Sequence, residues 1–176
     1  MSFSKSAVAL SASLFLVTAY AQNQGGPSDP QIAGIVVTAN TIDINAGKLA
    51  KSRTKNKEVS KFAQLMITDH TAVNKQAGAL AKKLGVKPAD SPTSQSLKAG
   101  AADNVKNLKG LKGAAFDKAY VDHEVAYHQQ VLDAIDKVLI PSAQNAELKD
   151  LIVKVRPAIA AHLDHAKMIQ SDLAKK

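Results

Sequence analysis

Long runs of apolar residues at helical spacing are the feature that most limits what this chain can fold into. The clearest run is FDKAYVDHEVAYHQQVLDAIDKVL at residues 116–139, where apolar side chains recur about every three or four positions. That period places them on one face of a helix, which must pack against other apolar surfaces. Three more runs share the period and predict helices over residues 30–52, 57–84 and 143–174. The chain is therefore predicted to be all-α.

The connections between these helices suggest how they are arranged. The first connection is the polar segment KSRTKNKE, and Pro141 with Ser142 forms the last, so both are short. Residues 86–115 are longer and are interrupted by several prolines and glycines, with a short helix predicted over 94–108. We expect a ferritin-like four-helix bundle in which this short extra helix crosses over between helices two and three, on the outside of the bundle.

The N-terminus is typical of a secretory signal peptide. Lys5 precedes an apolar stretch over residues 7–17, and Ala19-Tyr20-Ala21 forms an A-x-A cleavage site. We therefore predict a signal peptide at 1–21, a flexible linker at 22–29 and a helical bundle domain at 30–176. No further apolar run is long enough to cross a membrane, so we expect an exported protein that is periplasmic or secreted, with no transmembrane segment in its mature chain.

The amino-acid composition limits the classes of partner and ligand that the protein is expected to bind. The formal net charge is +8, which favours peripheral contact with anionic envelope surfaces. Nucleic acid is not an expected partner, because the positive charges are spread along helix faces and tryptophan is absent. Cysteine is also absent, which excludes disulfides and thiolate metal ligands. The oligomeric state does not follow from the sequence.

A set of polar residues interrupts the apolar stripes. Each predicted long helix carries one near its midpoint: Asp43, His70, His128 and His162. The midpoints of packed helices of similar length lie at one height, so these side chains are expected to meet in one layer across the core. Glu124 lies one turn before His128, beside the same face. Three further ionisable residues are not expected in this layer. We expect His123 and His165 to be exposed, and Asp69 to face a neighbouring helix or solvent.

The polar layer has two interpretations, and both stay open at this point. Three imidazoles and a carboxylate suit one transition metal ion such as zinc, copper, nickel or iron, with Glu124 as a further ligand or as a residue that orients one. Alternatively, the same side chains form a metal-free hydrogen-bonded network, because buried polar groups need partners in either case. The two Glu-x-x-His motifs of carboxylate-bridged dimetal bundles are missing, which disfavours classical di-iron chemistry. No catalytic nucleophile is recognisable.

Four blocks of the sequence resemble a known family. IDINAGKLA at 42–50, VSKFAQLMITDHTAVN at 59–74, FDKAYVDHEVAYH at 116–128 and RPAIAAHLDHA at 156–166 are similar to the bacterial envelope family catalogued as "domain of unknown function 4142". The resemblance extends over about residues 29–174 and implies a ferritin-like fold, which agrees with the predicted helices. Members of this family are often labelled outer membrane proteins, and no activity is established for them.

The resemblance also bears on the polar layer. It implies Asp-His at Asp69-His70 and histidines at His128 and His162, and it implies an acidic residue, usually Glu, where this chain has the shorter Asp43. The function that we expect is that of an exported, non-enzymatic bundle protein of the bacterial envelope, related to stress or metal handling. Two alternatives remain: a metal-dependent enzyme of the oxidase or peroxidase type, and a basic module that binds anionic envelope surfaces.

Overall fold

The computed structural model describes residues 25–175, and all regular structure in that range is helical, with no strand. The elements are α1 (Asp29–Arg53), α2 (Lys57–Leu84), α3 (Pro92–Gly110), α4 (Gly113–Ala134), a π-helical segment (Ile135–Leu139), α5 (Ile140–Ser142) and α6 (Ala146–Ala174). The all-α prediction is therefore confirmed. The predicted signal peptide and residues 22–24 of the predicted linker lie outside the described residues.

Helix caps move two of the predicted boundaries. The last long helix begins later than the predicted residue 143, because Oδ1 of Asn145 accepts the backbone N–H of Leu148. The crossover helix begins earlier and is longer than predicted, because the Ser91 hydroxyl accepts the backbone N–H of Ser94 and a proline follows the cap. Each cap satisfies an amide that a first helical turn leaves without a partner, which stabilises the helix by about 1 kcal/mol.

The helix predicted over 116–139 differs from a regular α-helix at its end. It starts at Gly113, whose φ of 55° favours glycine, and its last turn is the π-helical segment. There the backbone N–H of Ile140 donates to the carbonyl of Ile135, five residues back, which widens the turn. Pro157 lies inside the last helix, and α6 continues through it to Ala174.

The long helices pack side by side, and neighbours run in opposite directions. α1 lies along α2, and α4 lies along α6; smaller contacts join α2 to α6 and α1 to α4. The carboxylate of Asp29, at the start of α1, accepts the backbone N–H groups of Gln144 and Asn145, each at 2.9 Å. α3 packs mainly on α1 and makes smaller contacts with α4. Four helices therefore present side chains to a common interior.

That interior is apolar at both ends and polar in the middle. One apolar cluster includes Phe62, Met66 and Phe116, and the other includes Leu132 and Ile152. On α1 and α4 the sequence-predicted polar residue lies between positions that belong to the two clusters, and on α6 His162 lies beside Leu163 of the second cluster and one turn before Ala166 of the first. Burying a large side chain of this kind stabilises the fold by about 1.5–3 kcal/mol, and this packing positions the polar layer. None of the described helices combines the length and hydropathy needed to cross a membrane.

Candidate metal centre

Three imidazoles from three helices meet in the polar layer. His70 comes from α2, His128 from α4 and His162 from α6, and their exposed fractions are 2%, 1% and 4%. The ring centroids are 5.3–5.8 Å apart. One ring nitrogen of each histidine lies within 4.8 Å of one ring nitrogen of each of the others. The rings therefore face a common point.

A hydrogen bond from α1 determines the tautomer of His70. The amide nitrogen of Asn40 donates to the carbonyl of Val36 at 2.9 Å, so its oxygen Oδ1 is the atom that lies 2.7 Å from Nδ1 of His70. An amide oxygen only accepts, so Nδ1 of His70 carries the proton. The other ring nitrogen, Nε2, is then left with its lone pair.

The other two imidazoles are held in the same way. Nδ1 of His128 donates to the backbone carbonyl of Glu124 at 2.9 Å, and Nε2 of His162 donates to the Asp69 carboxylate at 2.9 Å. The remaining nitrogens are Nε2 of His128 and Nδ1 of His162. In metal centres a ligating histidine commonly donates its other N–H to a carbonyl or carboxylate in this manner.

Each free nitrogen lacks a hydrogen-bond partner. Nε2 of His70, Nε2 of His128 and Nδ1 of His162 are all buried, and residues 25–175 provide no donor to any of them. Leaving a buried polar atom without a partner costs about 1–3 kcal/mol. Three buried lone pairs, on rings that approach one another with nitrogens within 4.8 Å, fit a cation, because a cation is the partner that satisfies three lone pairs at once.

Burial keeps the imidazoles of His70 and His128 neutral. Burial and the neighbouring His128 and His162 rings lower the pKa of His70 to about 3. Burial, with a smaller contribution from His162 and His123, lowers the pKa of His128 to about 4, although its bond to the Glu124 carbonyl acts the other way. Neutral imidazole is the form that binds a metal ion, so these rings need not lose a proton near neutral pH.

Two carboxyl groups lie beside the imidazoles. Asp43 on α1 and Glu124 on α4 are almost fully buried, and each has an oxygen within 4.8 Å of the other and of a ring nitrogen of His128. Oδ2 of Asp43 lies 3.4 Å from Nε2 of His70, and Oε2 of Glu124 lies 3.5 Å from Nδ1 of His128. These carboxyl groups add oxygen atoms to the three imidazole nitrogens that could serve as metal ligands.

The carboxyl groups have few hydrogen bonds of their own. Oδ1 of Asp43 and both carboxyl oxygens of Glu124 have no donor among the described residues. Burial raises the pKa of both groups well above the ordinary range, and the nearby Asp43 charge raises that of Glu124 further. With a proton on one of them, the two carboxyl groups can hydrogen-bond to each other. A bound cation would replace that proton.

Two tyrosines border the carboxyl pair. The Tyr127 hydroxyl donates to the carbonyl of Ala39 at 3.3 Å, whereas the hydroxyl of Tyr120 is buried without a partner in the described part of the chain. Burial raises the pKa of both phenols, and the charges of Asp43 and Glu124 raise them further. Both hydroxyls therefore stay protonated.

The structure brings together all of the residues that the sequence placed in one layer. His70, His128 and His162 form one group, and Asp43 with Glu124 joins it through His128. The expectation that His123 and His165 are exposed is wrong. Both are partly buried: His123 stacks on Tyr127 with centroids 5.6 Å apart, and His165 packs edge-on against Phe62 at 5.3 Å.

Sequence reasoning missed two residues that orient the imidazoles. Asn40 lies three positions before Asp43, hence one turn away on the same stripe, and this spacing was a usable signal. Asp69 was expected to face a neighbour or solvent. Its side chain is 39% exposed, and it faces His162 on the neighbouring helix. An acidic residue next to a stripe histidine is about 100° away around the helix, which is where the adjacent helix lies.

The donor set is chemically selective. Imidazole nitrogens with carboxylate oxygens suit zinc, copper, nickel and iron, whereas magnesium and calcium prefer oxygen ligands alone. Three protein nitrogens also leave a coordination position for a carboxylate or a small molecule. The centre can therefore bind a transition metal ion inside the core.

Comparison with known families agrees with the resemblance seen in the sequence. The model of the family described as "Domain of unknown function (DUF4142)" matches residues 16–169, a range that contains every residue of the centre. No curated protein and no solved structure matches the chain.

Proposed function

The chain belongs to the family described as "Domain of unknown function (DUF4142)", and we propose that it binds one transition metal ion through His70, His128 and His162. The family description assigns no activity, so the proposal rests on the centre. Asp43 and Glu124 lie where they can add an oxygen ligand or balance the charge of the ion. The proposed role is metal handling by a helical protein without a catalytic activity of its own.

One observation carries this proposal. Each of the three imidazoles donates one N–H to a protein oxygen and has its other nitrogen buried, without a partner in residues 25–175. A hydrogen-bonded polar network would use these nitrogens for bonds among its own members. Here each imidazole donates its N–H to a residue outside the three histidines and keeps a buried lone pair, which is the arrangement that a cation requires.

Charge balance favours a divalent ion. The imidazoles of His70 and His128 are neutral, so the ion's charge must be offset by Asp43 and Glu124. Both are buried and close together, which makes their simultaneous ionisation costly unless a cation lies between them and the imidazoles. A divalent ion with two carboxylates leaves the centre neutral, and a neutral centre is the form least penalised by burial.

We also propose a location and an arrangement for the protein. Lys5, the apolar stretch at residues 7–17 and the sequence Ala19-Tyr20-Ala21 support export to the bacterial envelope. The pairing of α1 with α2 and of α4 with α6, with α3 in the long connection, supports a ferritin-like bundle. An exported bundle without cysteine must obtain any metal site from imidazole and carboxylate ligands, as this centre would.

Metal titration tests the proposal. Protein without a histidine tag is treated with a chelator and titrated with Co²⁺ and Zn²⁺. We expect one ion per chain, a visible Co²⁺ spectrum typical of nitrogen and oxygen ligands, and a rise in melting temperature. At a free metal concentration of about 100 times Kd the stabilisation would be about 2.7 kcal/mol.

Substitution of single histidines supplies the control. His128→Ala should abolish the spectrum, since this residue belongs to both groups of ligands. His165→Ala should leave it unchanged, because His165 is partly buried against Phe62 and lies outside both groups. A wild-type protein that shows no Co²⁺ spectrum and no metal-dependent stabilisation would leave only the metal-free polar network.

A further inference from the structure

An apolar cavity of about 80 Å³ lies next to the polar layer. All four long helices contribute to its wall, together with α3 and the π-helical segment. On each long helix, one lining residue lies three positions from a residue of the centre: Asn40, Val73, Val131 and Ile159. Three positions are just under one turn of helix, so the cavity is the layer directly beneath the candidate metal centre.

The wall of the cavity is apolar. Apart from Asn40, Thr93 and Gln130, the described lining residues are apolar or alanine. The amide of Asn40 is already engaged at both ends, by His70 Nδ1 and by the carbonyl of Val36. A buried water needs about 2–4 polar partners, and this interior does not offer them.

The cavity has an edge near the surface. Thr93 on α3 and Gln130 on α4 are exposed lining residues, whereas Ile35, Ile135 and Ile159 are buried. A small molecule can therefore enter the apolar cavity beside α3. The wide turn of the π-helical segment contributes Ile135 and Leu139 to the wall, and π-helical turns are frequent beside functional sites.

We propose that this cavity binds a small, uncharged, apolar molecule of the size of a gas such as dioxygen, one helical turn from the imidazoles. An apolar cavity of about 150 Å³ in another protein stays dry and binds benzene or xenon. The present cavity has about half that volume, which fits a gas molecule better than an aromatic ring. This inference concerns the cavity alone and holds whether or not the centre binds a metal ion.

Xenon is the probe, because it is apolar and monatomic and can be located directly. In crystals of the wild-type protein under xenon pressure, we expect electron density among the lining residues. In solution, the ¹²⁹Xe chemical shift should show saturable binding by both chelator-treated and metal-loaded protein. Failure of metal binding with retained xenon binding would overturn the proposed function and support the cavity. Metal binding without xenon binding would support the proposed function and overturn the cavity proposal.

Substitutions that fill the cavity test its position. Ala134→Leu, on α4, should remove saturable xenon binding, and Ala39→Leu should remove it by filling the same space from α1. Ala119→Leu is the matched control, since Ala119 is also a partly buried alanine of α4 and lies outside the lining. Xenon that is absent from wild-type crystals, or that binds equally to wild-type protein and to a folded cavity-filling variant, overturns the proposal.

Discussion

The amide oxygen of Asn40 lies 2.7 Å from Nδ1 of His70, so one uncharged side chain decides which nitrogen of that imidazole carries the proton. The other nitrogen is thereby prepared to bind a cation without first losing a proton. The same logic holds for Asp69 and His162, where a carboxylate accepts the N–H. The candidate centre thus depends on residues that would not themselves touch a metal ion.

Removal of the Asn40 acceptor should weaken metal binding. Asn40→Leu keeps the approximate volume but leaves Nδ1 of His70 without an acceptor, so we expect metal affinity to fall by about 10–100-fold. Asn40→Asp retains an acceptor and should bind nearly as wild type. Competition with a coloured chelator measures Kd. Asn74→Leu is the control, because Asn74 on α2 donates to Thr41 outside the centre. Equal affinities for Asn40→Leu and wild type would contradict this role.

Two buried histidines, His70 and His128, should contribute a loss of stability to the metal-free protein as the pH falls. The folded pKa of His128 is about 4, below the ordinary 6.5, so between these values the unfolded chain binds the extra proton. The free energy of unfolding therefore decreases as pH falls, by about 1.4 kcal/mol per pH unit for this histidine, and His70 acts in the same direction. Urea unfolding with chelator present, at several pH values, measures the slope.

A single variant isolates the histidine contribution. His128→Gln removes one titrating group, so its slope between pH 4 and 6.5 should be smaller than that of wild type. This comparison is necessary because Asp43 and Glu124 act oppositely: their folded pKa values are raised, so their contribution is present at low pH and lost as pH rises. Identical slopes in the two proteins would show that His128 does not titrate differently on unfolding.

Glu124→Gln should have opposite effects on the stability of the metal-free protein and of the Zn²⁺-bound protein. The substitution removes a buried group that is costly to ionise, so without metal we expect the variant to be at least as stable as wild type. With Zn²⁺ the order should reverse, because the variant lacks a carboxylate to offset the ion's charge. Thermal unfolding with and without Zn²⁺ measures both effects. A variant with a full Zn²⁺-induced shift would exclude Glu124 from the centre.

The two buried tyrosines should respond differently to loss of their hydroxyls. The Tyr127 hydroxyl donates to the carbonyl of Ala39, so Tyr127→Phe should reduce the free energy of unfolding by about 0.5–1.5 kcal/mol. The hydroxyl of Tyr120 has no partner within the described residues, so Tyr120→Phe should be neutral or stabilising. Chemical denaturation of the two variants, each serving as the other's control, checks the difference. A marked loss of stability in Tyr120→Phe would reveal a partner such as water.

Much of the helical structure was predictable because it depends on local features. The start of α2 at Lys57 and its end at Leu84 followed from a polar connector, an apolar stripe and a glycine. The π-helical segment was not predictable in this way, since residues 135–139 continue the ordinary helical period. The segment lines the cavity and packs against α6, and these tertiary contacts are not encoded in the local sequence.

The candidate centre was partly predictable for a similar reason. A polar residue in mid-stripe must be buried wherever the helix packs, so His70, His128 and His162 could be identified from period alone. The roles of Asp69 and Asn40 depend on which helix lies beside each of them. That information is absent from a single helical stripe.

The sequence by itself determined the helices, their apolar faces and the presence of polar residues at their midpoints, because periodicity is a property of neighbouring positions along the chain. Only the tertiary structure decided which imidazole nitrogen is free and which residue accepts the N–H of each imidazole. These depend on the direction of hydrogen bonds between residues far apart in sequence, such as Asp69 and His162. Hydrogen-bond direction, unlike helical period, exists only once the helices have packed.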